Sequence, residues 1–154
     1  MRQDSRLSRL LHVLLHMAEA EGPITSDAIA KMLGSNPALV RRIMAGLRNA
    51  GYVRSEKGHG GGWTLARPLG EITLLDVHAA LGRPELFAFG LANPAPQCLV
   101  EQAVNEAMRR ALDDAEHTLL KRFGEVRLSD IADDFRERFA GAATASERSP
   151  HAPE

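Results

Sequence analysis

A single cysteine, Cys98, occurs among the 154 residues. One thiol excludes an intrachain disulfide and fits a reducing compartment. Apolar runs are short: none reaches the roughly eighteen residues a membrane span needs. The start, Met1-Arg2-Gln3-Asp4-Ser5-Arg6, leads into a segment dotted with charge and histidine, unlike the apolar core of a signal peptide. A cytoplasmic location is therefore expected. No nucleophile elbow, P-loop or paired-histidine zinc motif is present, so nothing in the sequence argues for an enzyme.

The formal net charge is only −1, which on its face argues against a polyanionic partner. The distribution points the other way. Residues 1–67 hold ten Lys/Arg and five Asp/Glu, whereas residues 68–154 hold nine and fifteen. A basic N-terminal half beside an acidic C-terminal half suits a polyanion binder joined to a part that stays away from the polyanion.

Periodicity predicts a mainly α protein with one small β-hairpin. Leu7, Leu10, Leu11, Leu14 and Met17 give an apolar face to a helix from Ser5 to Glu19, ended by Gly22-Pro23. Thr25 or Ser26 can cap a short second helix that buries Ile29, Ala30 and Leu33 and stops at Gly34. Asn36-Pro37 joins a capping side chain to a proline at the first helical position, which starts a third helix running to about Asn49. Helix, glycine-containing turn and helix make a helix-turn-helix. Two β-prone runs, Tyr52–Lys57 and Trp63–Ala66, flank the tip Gly58-His59-Gly60-Gly61-Gly62 and read as a hairpin, or wing. A further helix spans Leu74 to Leu81.

The DNA-binding unit is thus expected over 1–83, followed by a proline-bearing loop over 84–96. A long helix from Gln97 to Phe123 carries an apolar stripe of Val100, Val104, Met108, Leu112, Leu119 and Phe123, with Gly124 ending it. At roughly 40 Å it is longer than a small domain's core requires, which predicts packing on a partner helix. A last helix capped by Ser129 completes a 97–140 dimerisation segment. The Ala-, Ser- and Pro-rich stretch 141–154 is expected to be disordered.

On a helical projection, Val40, Ile43, Met44 and Leu47 form the buried stripe of the third helix. Ala38, Arg41, Arg42, Ala45, Arg48 and Asn49 fall on the opposite arc. Small residues let such a helix sink towards a groove floor, while arginines reach guanine edges or grip phosphates. Arg41, early in the helix, is placed for bases, and Arg48, near its end, for phosphate. Lys57 and His59 at the wing tip can enter a minor groove or meet phosphates. The plain alternative for this arc is a solvated polar face. The glycine run could instead cradle a nucleotide phosphate, but such loops sit between a strand and a helix, and here a second strand follows.

The ordered set Thr25-Ser26 to Leu33, Asn36 to Leu47, Ala50-Gly51-Tyr52-Val53, Gly60–Ala66, Ile72–Val77 and Val126–Ile131 resembles the Rrf2 family, over about residues 5–135. The resemblance implies a winged helix-turn-helix, a homodimer formed through the long helix, and binding to a palindromic double-stranded DNA operator, in the manner of a repressor. It implies base contacts from Asn36, Ala38, Arg41 and Arg42 and places Lys57 and His59 in the wing; Arg48, from the helical projection, and Ser26 complete the expected DNA contacts. Some members hold an iron–sulfur cluster on three cysteines before the long helix. Cys98 is similar to the last of these, but the other two positions fall near Leu86 and Ala92, which cannot ligate iron. No cofactor is therefore expected.

Cys98 remains a candidate redox sensor, because backbone N–H groups at a helix start favour thiolate. An inert buried cysteine is the alternative. His12 and His16, spaced i, i+4, are two metal ligands at most, so a structural role is expected. A winged-helix adaptor that binds a protein or effector without reading an operator is the competing function. The effector itself, small molecule or oxidant, is not named by the sequence.

Overall fold

The computed structural model describes residues 4–147. Its elements are α1 (Arg6–Glu19), α2 (Ser26–Leu33), α3 (Pro37–Asn49), β1 (Val53–Glu56), β2 (Gly62–Leu65), α4 (Leu74–Ala80), α5 (Leu99–Glu125) and α6 (Leu128–Glu147). The expected class, mainly helical with one hairpin, is the one observed.

Local chemistry sets the helix starts. Thr25 caps α2, its side chain accepting from the Ala28 N–H at 3.2 Å. Asn36 caps α3, accepting from the Leu39 N–H at 2.9 Å, with Pro37 behind it. Thr73 and Asp76 form a capping box on α4. Gly34 closes α2 in the left-handed region, φ 58°, where a side chain would be strained.

One core holds the helix-turn-helix together. Leu10, Val13 and Leu14 of α1, Ile29 of α2, and Val40, Met44 and Leu47 of α3 are all essentially inaccessible, as are Ile72, Val77 and Leu128. Truncating any of these to Ala should cost about 2–5 kcal/mol. The antiparallel hairpin pairs Val53 with Leu65 and Ser55 with Trp63. Ile24 then bridges to Trp63 through two backbone hydrogen bonds of 3.0 and 2.8 Å, sewing the wing to the segment before α2.

A second small pairing joins the two halves of the chain. Thr73 bridges Arg127, flanked by Leu74 N–H to Val126 O at 3.1 Å and Leu128 N–H to Ile72 O at 2.9 Å. The starts of α4 and α6 are thereby locked together.

Three boundaries differ from expectation. Gly124 does not end α5, which continues to Glu125; it is instead a packing glycine, since a Cβ there would stand 3.4 Å from Leu75 of α4. Ser129 lies inside the first turn of α6, and Asp130 accepts the Arg127 N–H at 2.9 Å in its place. Finally, α6 runs on to Glu147, through part of the stretch expected to be irregular. Ala142, Ala143 and Ala145 are strong helix formers, and that propensity prevails over the loss of large apolar residues. The expectation for 148–154 lies outside the described residues.

Candidate nucleic-acid interface

The exposed arc of α3 is built as a projection of its sequence. Val40, Met44 and Leu47 anchor one side, so the opposite side is fixed relative to the core. Ala38, Arg41, Arg42, Arg48 and Asn49 are exposed, and Ala45 is half-buried. Gly46 faces inward: a Cβ built there would lie 2.5 Å from the Ala80 carbonyl oxygen. The α3 and α4 backbones are therefore in direct contact.

Charge pairing separates the arginines of α3 from those elsewhere. Among the described residues, the ion pairs involve Arg6, Arg109, Arg110, Arg122, Arg136 and Arg138. None involves Arg41, Arg42 or Arg48. Over 24–70 the chain carries seven Lys/Arg against two Asp/Glu. The helix-turn-helix and wing thus present cations with no carboxylate committed to them, while the arginines of α5 and α6 are largely neutralised locally.

Two of the expected contact residues have structural duties. Ser26 is half-buried and its Oγ accepts from the Trp63 indole N–H at 3.0 Å. That bond ties α2 to the wing and still leaves the hydroxyl proton to donate. Asn36 uses Oδ1 for the cap, leaving its amide N–H₂ without a partner among the described residues.

Lys57 and His59 are exposed at the hairpin tip, again without partners. The glycines beside them have an internal reason to be there. Gly58 and Gly60 hold φ of 94° and 77°, and a Cβ on Gly61 would collide with the Glu56 carbonyl oxygen. A Cβ on Gly62 would lie 2.6 Å from the Ile24 carbonyl oxygen. The tip and the wing seam thus exclude larger residues before any ligand is considered. Arg54, which sequence reasoning left out, lies on β1 and donates to Thr64 Oγ1 at 3.2 Å. Its position on an exposed strand beside Lys57 was the signal available.

Cys98 occupies the N-cap position of α5 and is exposed in the single chain. Its side chain makes no formed cap hydrogen bond. The nearby backbone N–H groups of Glu101 and then Val100 nonetheless hold the thiol below its ordinary range, against a slight opposing desolvation. The imidazoles of His12 and His16 stack, with Nε2 atoms 2.7 Å apart.

Most of α5 stands away from the core. Asn105, whose Nδ2 donates to the Asn93 carbonyl at 2.7 Å, is its one buried residue. Leu99, Val100, Val104 and Met108 are exposed, at 78%, 71%, 51% and 38%. No helix among the described residues is long and apolar enough to cross a membrane.

Comparison with known proteins agrees with this architecture. Residues 3–134 match the Rrf2 family model, described as an iron-dependent transcriptional regulator. A Lactococcus lactis protein named as an HTH-type transcriptional regulator, YffB, is 30% identical over 87% of this chain and 88% of its own length. A Bacillus subtilis counterpart, YwnA, is 28% identical over 83% and 95%. A crystal structure of a transcriptional regulator from Lactobacillus plantarum superimposes with a TM-score of 0.71 at 19% identity, covering 94% of this chain and 99% of that one. CymR, titled the global cysteine regulator of B. subtilis, gives 0.55 at 25% identity, covering 86% and 98%. The iron in the family description does not fit the residues present. Among the described residues no group of three or more His, Cys, Asp or Glu could hold a metal, and Leu86 and Ala92 stand where the resemblance would need thiolates.

Proposed function

Because the chain belongs to the Rrf2 family of DNA-binding transcriptional regulators, we propose that it is a homodimeric repressor that reads a palindromic duplex operator with α3 and the wing. The observation that carries this reading is the arginine face of α3, exposed, without an ion pair to any carboxylate among the described residues and set on a well-packed core. Arg41 and Arg42 reach base edges, Arg48 grips phosphate, and the Asn36 amide and Ala38 line the groove floor. Lys57 and His59 of the wing add contacts beside it, and the Ser26 hydroxyl donates to a phosphate.

The dimer is formed through the exposed stripe of α5. Two winged units so joined meet half-sites about one helical turn, roughly 34–36 Å, apart. Occupying an operator that overlaps a promoter excludes polymerase, which makes the protein a repressor. Cys98, at the start of the same helix, is the residue through which an oxidant would act, in the cytoplasm where such regulators work.

The test is a gel shift with duplex DNA from the region flanking the protein's own gene. Native protein should give a discrete, competitor-resistant complex. Arg41→Ala should weaken it by about 1–3 kcal/mol, roughly 5- to 150-fold, and relax base preference at one position of each half-site. Equal affinity and preference in native and variant proteins would remove Arg41 from the interface.

A further inference from the structure

A cleft of about 770 Å³ opens between the start of α1, the end of α4, the segment after it and the C-terminal part of α5. Leu7, Pro84, Phe87, Leu119 and Phe123 give it apolar walls. That volume falls within the roughly 300–1,000 Å³ of small-molecule sites, which combine apolar walls with a few placed polar groups.

One such group is His78. It is only 3% exposed, and its ring Nε2 lies 3.0 Å from the Pro84 carbonyl oxygen. A carbonyl can only accept, so Nε2 carries a proton; with that single ring proton, Nδ1 is an acceptor. Nδ1 has no hydrogen-bond partner among the described residues. His78 is one of the residues that line the cleft.

Charge selects the ligand further. Arg6 lines the cleft but is committed to Asp4, with Nη2 to Oδ2 at 2.6 Å and two Nε contacts of 3.0 Å. Glu85 also lines it, exposed and without a partner. Two carboxylates against one engaged guanidinium disfavour an anion and leave Glu85 free for a cation.

We propose that this cleft binds a small aromatic amine bearing a hydrogen-bond donor on its ring. The ring packs against Phe87 and Phe123, the donor meets Nδ1 of His78, and the ammonium meets Glu85. Regulation follows from position, and this half rests on the DNA-binding reading above. His78 is two residues from Ala80, whose carbonyl abuts Gly46 of α3. An occupant that moves α4 therefore moves α3 with it.

Tyramine serves as the probe, by titration calorimetry on the full chain without DNA. Saturable binding is expected at up to millimolar tyramine. Phenethylamine, lacking the hydroxyl, and 4-hydroxyphenylacetate, with the opposite charge, should each bind at least about tenfold more weakly. Glu85→Gln, an exposed change that leaves the core intact, should weaken tyramine several-fold and leave phenol unaffected; Leu119→Trp should block both. Absence of saturable tyramine heat, or binding indifferent to both substitutions, overturns the site. Operator affinity measured with and without saturating tyramine should differ at least threefold. Equal affinity overturns the regulatory half alone. If no operator complex forms in either condition, the DNA-binding reading fails, and calorimetry still decides the site.

Discussion

Gly46→Ala should reverse the usual sign of its class. Gly46 lies within α3, in ordinary helical backbone. At such a position Gly→Ala normally stabilises by roughly 0.8–1 kcal/mol, because alanine loses less backbone entropy. Here the new methyl would stand 2.5 Å from the Ala80 carbonyl oxygen and 3.5 Å from its carbon. A relaxed C···O contact is about 0.8 Å longer, so the helices must part by that amount. Neither can yield freely, since α3 is anchored by Val40, Met44 and Leu47 and α4 by Val77, all inaccessible. Overpacking of this kind costs about 1–3 kcal/mol. Subtracting the helix-propensity gain leaves a net destabilisation of roughly 0–2 kcal/mol, or about 2–4 °C in Tm for each kcal/mol.

Urea and thermal unfolding, followed by Trp63 fluorescence and far-UV circular dichroism, measure this directly. Gly141→Ala is the internal control: it lies in α6, where a Cβ meets nothing within 4 Å. The control should gain stability while Gly46→Ala loses it. If both variants gain equally, α3 and α4 are not in backbone contact and the coupling argued from that contact falls with it.

Other consequences are simpler to state. Ser26→Ala removes the acceptor of the Trp63 indole N–H and should cost about 1–2 kcal/mol, with a change in Trp63 emission; an unchanged urea midpoint would count against the α2–wing tie. Val104→Glu on the exposed stripe of α5 should shift the protein from dimer to monomer in light scattering at micromolar concentration while leaving its circular dichroism intact, and a native protein that is already monomeric would refute the dimer. Because the N–H groups at the start of α5 hold the Cys98 thiol low, iodoacetamide alkylation should reach its half-maximal rate at lower pH in the folded protein than in urea; the same or a higher midpoint when folded would contradict that placement.

The elements closest to the DNA side were the most legible in the sequence. Asn36-Pro37 fixes the start of α3 by two independent local rules, and the Val40–Leu47 stripe orients it, so its exposed face could be named residue by residue. The hairpin was equally plain, because a glycine tip between β-prone runs has few other solutions. What escaped was long-range. Nothing local marks the pairing of Thr73 with Arg127, more than fifty residues apart, nor does periodicity show that Gly124 is a contact rather than a stop. His78 read as a histidine without a partner, since its partner is a backbone carbonyl placed by the turn at Gly82 and Arg83, where φ is 87° and 52°. Arg83 is the one described non-glycine residue in the left-handed region, and sequence offers no sign of that.

The long-range features share a consequence for operator reading. The spacing of two α3 helices in a dimer depends on how firmly each is tied to its own α5. The path is short: α3 rests on α4 at Gly46, α4 rests on α5 at Leu75 against Gly124, and the Thr73–Arg127 bridge pins the start of α4 to the far end of α5. Two of these links are at glycines: Gly46 sets backbone against the Ala80 carbonyl, and Gly124 receives a methyl of Leu75. Packed interiors of this kind shift between discrete arrangements rather than deforming smoothly. In the proposed dimer this series of contacts makes half-site spacing depend on how the two α5 helices pair, and a displacement of α4 reaches the α3 of its own chain. The α4 helix is the element which carries His78, one of the residues lining the cleft.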